Sequence, residues 1–99
     1  MDYLKYDNCF NNQEPATDRY PKMRDALAKT GRPILYSICN WGFEKTCTWA
    51  PETGNSWRTT ADIKNFWKSI QYNYVLNDKC HNVAGPGAWN DPDMLEIGN

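Results

Sequence analysis

The sequence predicts an α/β fold in which parallel strands alternate with helices. Short apolar segments that end in polar or acidic residues are separated by segments whose apolar residues recur at helical spacing. In order along the chain they indicate strand, helix, strand, long loop, strand, helix and strand. Repeated units of this kind place parallel strands side by side through right-handed crossovers. Because a closed (β/α)8 barrel needs about 250 residues, these 99 residues predict only the middle portion of one.

The first half of the chain predicts two strands joined by one helix. Residues 1–6 form a short strand, and a helix follows from residue 17 or 18 to residue 29. Apolar side chains recur three and four residues apart on one face of this helix, at Tyr20, Met23 and Leu27. Gly31 is the expected end of the helix, and residues 34–39 make the clearest strand.

The second half predicts a long connection, a third strand, a second helix and a fourth strand. Residues 40–55 are rich in Thr, Trp, Gly and Pro, and a connection of this length in a compact domain usually carries function. Residues 56–59 form a weak strand, and a helix runs from Ala61 to about Asn77. The apolar stripe that predicts its buried face is Ile63, Phe66, Trp67, Ile70 and Tyr74. Residues 83–85 begin the fourth strand, after which Gly-Pro-Gly and Asp-Pro steps exclude regular structure.

Charge and hydropathy argue against several classes of partner. The 11 basic and 12 acidic residues form no block, so no nucleic-acid partner is expected. No apolar run approaches the ~20 residues that span a bilayer, so no membrane partner is expected either. No charged-then-apolar leader is visible, and one would lie upstream if Met1 is an internal residue of a longer protein.

The cysteines favour disulfides over a metal site. Cys9, Cys39, Cys47 and Cys80 allow three pairings if all are bridged. None shows C-x-x-C spacing and only one histidine is present, so a structural zinc site is not predicted. Extracellular or luminal disulfides are favoured over buried free thiols, and a partner for Cys9 outside these residues stays open.

The composition suits a sugar ligand but does not require one. Aromatic residues make up 14% of the chain, and eleven asparagines accompany them. Aromatic faces stack on sugar rings, and amides bind hydroxyls. An aromatic core with Asn-rich turns explains the same composition, and composition alone favours that interpretation.

Two aspartates stand where parallel strands end, which is where catalytic groups of such folds gather. Asp7 closes the first strand, and Asp62 follows the third. Retaining glycosidases use two carboxyls about 5–5.5 Å apart, one as nucleophile and one as acid/base. Lys5 lies two residues before Asp7, would point to the same face and would hold the pKa of Asp7 down. From the residues alone, Asp7 as a turn residue and Asp62 as a helix N-cap remain alternatives.

Further polar and aromatic residues are candidates for the same site. Arg58 either binds sugar hydroxyls and orients a carboxylate, or forms a surface ion pair. Asp91 and Asp93 either brace the pocket or cap a turn. Trp67 belongs to the predicted core stripe. The tryptophans that could line a sugar pocket are Trp41, Trp49 and Trp57.

Three longer segments carry a family resemblance. They are residues 3–9 (YLKYDNC), 55–63 (NSWRTTADI) and 85–95 (GPGAWNDPDML). Together, in this order and at these separations, they resemble the α-galactosidases of glycoside hydrolase family 27. One such segment would be only suggestive, but three across nearly the whole chain are specific. The resemblance implies a partial (β/α)8 TIM barrel, approximately strands 4 to 7 with the intervening helices.

The resemblance also implies an activity: hydrolysis of terminal non-reducing α-D-galactose through a covalent glycosyl-aspartate. By the family's motifs Asp7 would be the nucleophile and Asp62 the acid/base, while Lys5 and Arg58 would contact the galactose. Further candidates for substrate binding are Cys39, Asn40, Trp41, Asp91, Asp93 and Met94. No metal or organic cofactor is implied. The expected substrate is a galactose-containing oligosaccharide or glycoconjugate, and the expected location is extracellular or lysosomal.

The chain departs from the family pattern in two ways. The family's strand-5 motif commonly reads Cys-Glu-Trp, with the Glu on the sugar 2-hydroxyl, whereas residues 39–41 read Cys-Asn-Trp. Asn40 can bind a hydroxyl through its amide, so relatives acting on N-acetylgalactosaminides or arabinopyranosides stay as alternatives. The loops after strands 1 and 2 and the C-terminal β-sandwich are not among these residues. A non-catalytic, disulfide-stabilised sugar-binding module is the alternative from another class.

Overall fold

The computed structural model describes residues 1–95, which fold around one parallel sheet. The sheet has four strands in the order β1-β2-β3-β4, and every neighbouring pair is parallel. The strands and α-helices are β1 (Tyr3–Asp7), α1 (Ala16–Lys29), β2 (Leu35–Cys39), β3 (Ser56–Arg58), α2 (Trp67–Asp78) and β4 (Trp89–Asp91). Strand order therefore follows chain order, and the predicted α/β fold with parallel strands is confirmed. Over the described residues, no helix is long and apolar enough to cross a membrane.

The register of the sheet places the last residues of all four strands in one row. Asp7 pairs with Cys39, and Arg58 pairs with Asp91. Ile38 pairs with Trp57, which brings the residues that follow them side by side. Since successive side chains of a strand point to opposite faces, residues at one register level share a face. Because side chains alternate between the two faces, one face of the sheet carries the polar residues of the strand ends and the other face packs on the core.

The core lies between the sheet and α1. Its buried members are Ala16, Tyr20, Tyr36, Ile38, Ala50 and Trp57. The ring of Tyr6 meets that of Tyr20 edge-on at 5.3 Å. Burying a side chain the size of Ile38 contributes about 1.5–3 kcal/mol. Gly54 is required beside it, because a Cβ at that position would lie 2.9 Å from Cδ1 of Ile38.

Helix α1 begins slightly earlier than predicted and ends where expected. Its N-cap residue is Pro15, which makes no side-chain cap. The free N–H of Ala16 donates instead to Oε2 of Glu44 at 3.0 Å. That carboxylate comes from the long connection, so a distant residue satisfies the helix start. At the other end Gly31 has φ +70°, a left-handed conformation that stops the helix.

Helix α2 begins at Trp67, not at Ala61 as predicted. The preceding residues form a non-helical connection in which the N–H of Lys64 donates to Oγ of Ser69 at 2.9 Å. The predicted apolar stripe does not form a core: Trp67 leaves 67% of its surface exposed. Within α2 only Asn73 is buried. Periodicity marks the face that a helix can bury, but it does not supply a layer to cover that face.

Strand β4 lies later than predicted, at Trp89–Asp91 instead of residues 83–85. Gly85 and Ala88 exchange two backbone hydrogen bonds of 2.9 Å, which close a tight turn. Gly87 takes φ +89° in this turn. The Gly-Pro-Gly step therefore precedes the strand and does not end it. The sequence did not show this, because the turns before and after a strand use the same residue types.

The connection between β2 and β3 is ordered by two constraints. It forms 3-10 turns at Phe43–Thr48 and Ala50–Glu52. A disulfide joins Cys47 to Cys80 beyond the end of α2, so one of the open pairings is assigned. Gly42 takes φ +77° so close to the next connection that a Cβ would lie 2.1 Å from the carbonyl oxygen of Thr59. Cys9 and Cys39 are free thiols in the described part of the chain.

Loss of the disulfide should destabilise the protein without altering the sheet. Because Cys47 and Cys80 are 33 residues apart, their bridge restricts a loop whose closure is worth about 3–4 kcal/mol in the chain-entropy description. We expect Cys47→Ser, Cys80→Ser and the double variant to lower the free energy of unfolding by the same amount, measured by urea titration. Additive losses would contradict a single shared bond.

The close approach of Gly42 predicts a graded pair of glycine variants. Gly31→Ala strains only the backbone, since nothing lies within 4 Å of its added Cβ, and should cost about 1 kcal/mol. Gly42→Ala adds the clash with Thr59 and should cost about 3 kcal/mol or more. Equal midpoints of thermal unfolding for the two variants would show that the two connections are not in contact.

Candidate active site

The candidate site is the row of side chains at the carboxyl edge of the sheet. Each strand ends on a polar or sulfur-containing residue: Asp7, Cys39, Arg58 and Asp91. The predicted gathering of acidic groups at this edge is what the structure shows. The row joins to Asp62 and Asp93, which lie in the connections that follow β3 and β4. The edge therefore carries Asp7 at the end of β1 and, at the end of β3, Arg58 with its partner Asp62.

Asp7 is held by donors from the residues that follow it. Its Oδ1 accepts the N–H of Asn8 at 2.7 Å, the N–H of Cys9 at 3.1 Å and the Sγ–H of Cys9 at 3.0 Å. Burial acts to raise the pKa of Asp7, but these hydrogen bonds and one from the Cys39 thiol outweigh it, and the pKa lies below its ordinary value. The carboxyl is therefore ionised at neutral pH, and it is both a turn residue and a candidate nucleophile.

Arg58 is the buried centre of the site. Its side chain is only 5% exposed, and Nη2 donates to Oδ1 of Asp62 at 2.5 Å. Nε lies 3.4 Å from Oδ1 of Asp93, and Nη1 lies 3.9 Å from Sγ of Cys39. Burial acts to lower the pKa of Arg58, but the bond to Asp62 and the neighbouring charges raise it overall. The ion pair considered from sequence thus forms, with Asp62, but the guanidinium is buried and not on the surface as expected.

Asp62 is not a helix N-cap. Helix α2 starts at Trp67 with Phe66 as its N-cap residue, which leaves Asp62 in the connection before it. The side chain of Asp62 is 84% exposed and fixed by Arg58 at one oxygen. The carboxyl is therefore oriented by a buried cation and open to solvent on its other side.

The loop of Asp7 lies within the electrostatic field of Asp62. The pKa of the Cys9 thiol is raised by its hydrogen bond to Asp7, by desolvation, and by the negative charges of Asp7 and Asp62. Cys9 thus stands near both carboxylates. Asp62, 55 positions after Asp7 in sequence, thus acts electrostatically on the loop that follows Asp7.

Asp93 links the first strand to the third. Its Oδ2 accepts from Nζ of Lys5 at 2.6 Å, while Oδ1 faces Arg58. The hydrogen bond to Asp93 raises the pKa of Lys5. Sequence reasoning paired Lys5 with Asp7, whereas its ion-pair partner is Asp93. Asp93 was considered either as a brace for the pocket or as the cap of a turn. Its contacts with Lys5 and Arg58 are those of a brace.

Cys39 and Asp91 complete the row. Burial raises the pKa of the Cys39 thiol to about 11, and the hydrogen bond to Asp7 adds to it. Cys39 is therefore a neutral thiol in the row that begins with Asp7. Burial and the charge of Asp93 raise the pKa of Asp91 above its ordinary value. The described residues contain no group of three or more His, Cys, Asp or Glu side chains placed to hold a metal ion.

Asn40 is not brought into the cleft. Its side chain is fully buried, and Nδ2 donates to the carbonyl oxygen of Phe43 at 2.6 Å and to Oγ1 of Thr46 at 3.2 Å. Trp41 next to it is half-buried with φ +57°, and its ring meets Phe43 edge-on at 5.7 Å. Asn40 therefore orders the connection that presents Trp41.

The other tryptophans considered for a sugar pocket are structural. Trp57 is fully buried in the core, because it alternates with Arg58 along β3 and points to the opposite face. The ring of Trp49 packs on Tyr20 at 5.4 Å. Met94 is partly buried directly after Asp93.

Sequence reasoning missed two contributors to the site. The backbone donors of Asn8 and Cys9 hold Asp7, and this contact was foreseeable, since an aspartate often accepts the N–H two residues on. Arg19 binds Asn8 from α1. No local signal identifies Arg19, because its partner lies eleven residues away across a loop whose path sequence does not specify.

Comparisons with known proteins show which family the chain belongs to. The family described as Alpha galactosidase A matches residues 1–99. Alpha-galactosidase 3 of Arabidopsis thaliana is 60% identical over 99 residues, which are all of this chain and 23% of that protein. Alpha-galactosidase of Coffea arabica is 57% identical over the same length, 26% of that protein. The chain spans about a quarter of the curated relatives it matches.

Solved structures agree as well. The α-galactosidase of Saccharomyces cerevisiae superposes with TM-score 0.91 at 34% identity, covering all of this chain and 28% of that one. A structure of α-galactosidase from the same organism with raffinose gives TM-score 0.83 at the same identity, again covering all of this chain and 28% of that one. The fold is thus part of a (β/α)8 barrel, and the chain belongs to glycoside hydrolase family 27, the family of the α-galactosidases.

Proposed function

We propose that this chain is the catalytic middle portion of a retaining α-galactosidase, contributing approximately strands 4 to 7 of its barrel. The reaction is hydrolysis of terminal non-reducing α-D-galactose from oligosaccharides or glycoconjugates. The observation that carries the proposal is one sheet edge at which Asp7 ends β1 with its Oδ1 hydrogen-bonded, while Arg58 ends β3 and binds Asp62. The identity of the sugar as galactose is inferred from the family to which the chain belongs.

In the first step Asp7 attacks the anomeric carbon. The donors on Oδ1 keep the carboxyl ionised and leave Oδ2 as the attacking oxygen. The bond to the leaving-group oxygen breaks as Asp62 gives that oxygen a proton, and a galactosyl ester of Asp7 results. Because Arg58 donates to Oδ1 of Asp62, Oδ2 is the atom that carries the proton.

In the second step water replaces the aspartate. Asp62, now a carboxylate, takes a proton from the water as its oxygen attacks the anomeric carbon, and Asp7 leaves as a carboxylate. The 84% exposure of the Asp62 side chain gives water access to this position.

Substrate binding falls to the ion-paired groups behind the two aspartates. Lys5, Asp93 and Arg58 form a fixed network whose remaining donors and acceptors suit sugar hydroxyls. Cys39, Trp41, Asp91 and Met94 line the same edge or its adjoining connections in this proposal. Asn40 acts through the connection that it orders in this proposal, and relatives acting on N-acetylgalactosaminides or arabinopyranosides are the alternative. A structure of the yeast enzyme with raffinose supports a galactoside substrate.

The alternative of a non-catalytic sugar-binding module is disfavoured by the fold. Two helices of 14 and 12 residues alternate with the parallel strands. An extracellular or lysosomal location agrees with the Cys47–Cys80 bridge, since disulfides persist in oxidising compartments.

Aspartate variants test the assignment in the longer polypeptide that carries this segment. We expect Asp7→Asn and Asp62→Asn to lower kcat on an aryl α-galactoside by about 10³-fold or more, with a circular dichroism spectrum that shows the variants still folded. Asp25→Asn is the matched control, because Asp25 is an exposed residue of α1 that pairs only with neighbouring Arg24. Azide should restore turnover to Asp62→Ala on an activated substrate. Near-wild-type kcat in either Asn variant would remove that residue from its role.

The isolated 99-residue chain should be inactive although it carries both aspartates. Its sheet has open edges at β1 and β4, and apolar residues of α2 face solvent. We expect no hydrolysis of an aryl α-galactoside above buffer, and association detectable by light scattering. Turnover by a monomeric 99-residue chain would overturn the need for the remaining barrel strands.

A further inference from the structure

One buried arginine holds both ends of the loop between β1 and α1. Arg19 leaves only 8% of its surface exposed. Its Nε donates to the carbonyl oxygen of Glu14 at 2.7 Å, and Nη2 donates to Oδ1 of Asn8 at 2.7 Å. The rigid fork of the guanidinium thus fixes the loop relative to the helix.

Asn8 passes this constraint to Asp7. Asn8 is 4% exposed, and its carbonyl oxygen accepts Nδ2 of Asn11 at 2.9 Å. Its backbone N–H donates to Oδ1 of Asp7 at 2.7 Å, and the N–H of Cys9 follows at 3.1 Å. Because the side chain and N–H of Asn8 belong to one residue, anchoring the first sets the direction of the second.

The partners of Arg19 do not compensate its charge with a carboxylate. Over residues 1–95 its hydrogen bonds go to amide and carbonyl oxygens, and its guanidinium carbon lies 5.2 Å from the ring centroid of Tyr20. Burying a cation without a counter-ion is unfavourable. By contrast Arg24, on the same helix, is exposed and pairs with Asp25. Helix formation alone does not account for burying Arg19.

We propose that Arg19 is a positioning residue for the nucleophile: through Asn8 it fixes the two backbone N–H donors that hold Oδ1 of Asp7, and so directs Oδ2 at the sugar. This inference rests on the proposed role of Asp7. It assigns Arg19 no contact with substrate, since its guanidinium is occupied by Asn8 and Glu14.

The expected consequence is a change in pH dependence as well as in rate. The N–H donors of Asn8 and Cys9 are among the groups that lower the pKa of Asp7. When Arg19 no longer anchors Asn8, these donors loosen and the pKa of Asp7 rises. The fraction of ionised nucleophile then falls at low pH, so the acid limb of the kcat/KM profile moves to higher pH.

The test compares Arg19→Ala, Arg19→Gln, Asn8→Ala and the double variant Asn8→Ala/Arg19→Ala in the longer polypeptide. We expect kcat for an aryl α-galactoside to fall about 10- to 100-fold and the acid limb to move up by about one pH unit. The double variant should match Asn8→Ala alone, because both residues act through one contact. Arg24→Ala is the matched control and should leave both quantities unchanged.

The outcomes separate this inference from the proposed function. If the wild type is active, Asp7→Asn is inactive and the folded Arg19 and Asn8 variants keep the wild-type acid limb, the positioning role is wrong while the nucleophile stands. If Asp7→Asn stays active, the proposed function itself fails. Should Arg19→Ala not fold, Arg19→Gln and Asn8→Ala decide the matter, and a loss of kcat without movement of the acid limb counts against positioning.

Discussion

The guanidinium of Arg58 is the interaction on which the site depends. It is buried at the end of β3 and contacts carboxylates from two different connections, those of Asp62 and Asp93. A buried cation needs such partners, because an unpaired charge in the interior is strongly unfavourable. The pairing fixes one oxygen of Asp62 and, through Asp93, reaches Lys5 on β1. One desolvated charge therefore couples the ends of three of the four strands, β1, β3 and β4.

Asp7 and Asp62 differ in the partners that hold their carboxyl groups and in their exposure to solvent. Asp7 receives neutral donors from the backbone and from thiols, which stabilise its ionised form without cancelling its charge. Asp62 is bound by a cation on one side and is open to water on the other. The roles proposed for them, a nucleophile that stays ionised and an acid/base that exchanges protons, have these different requirements. The difference arises from position: one residue ends a strand, and the other lies in a connection.

The disagreements between expectation and structure share one physical cause. Helix α2 starts six residues late, β4 follows its turn, and Trp57 and Asn40 are interior. Local propensity and periodicity describe what a segment can do, whereas neighbours decide what it does. Trp57 is buried because alternation along β3 gives Arg58 the opposite face. Asn40 is buried because its amide satisfies a carbonyl of the folded connection.

By itself the sequence determined the alternation of strands and helices, the parallel sheet and the family motifs, and it made Asp7 and Asp62 the candidates for catalysis. These follow from patterns within a few residues of each other. Only the tertiary structure decided that Lys5 pairs with Asp93, that Arg58 is interior, that Cys47 bonds Cys80, and that Arg19 anchors the loop of Asp7. The three contacts in this group, Lys5 with Asp93, Cys47 with Cys80 and Arg19 with Asn8, each join positions at least eleven residues apart. Contacts between distant positions depend on the path of the connections, and local sequence does not encode that path.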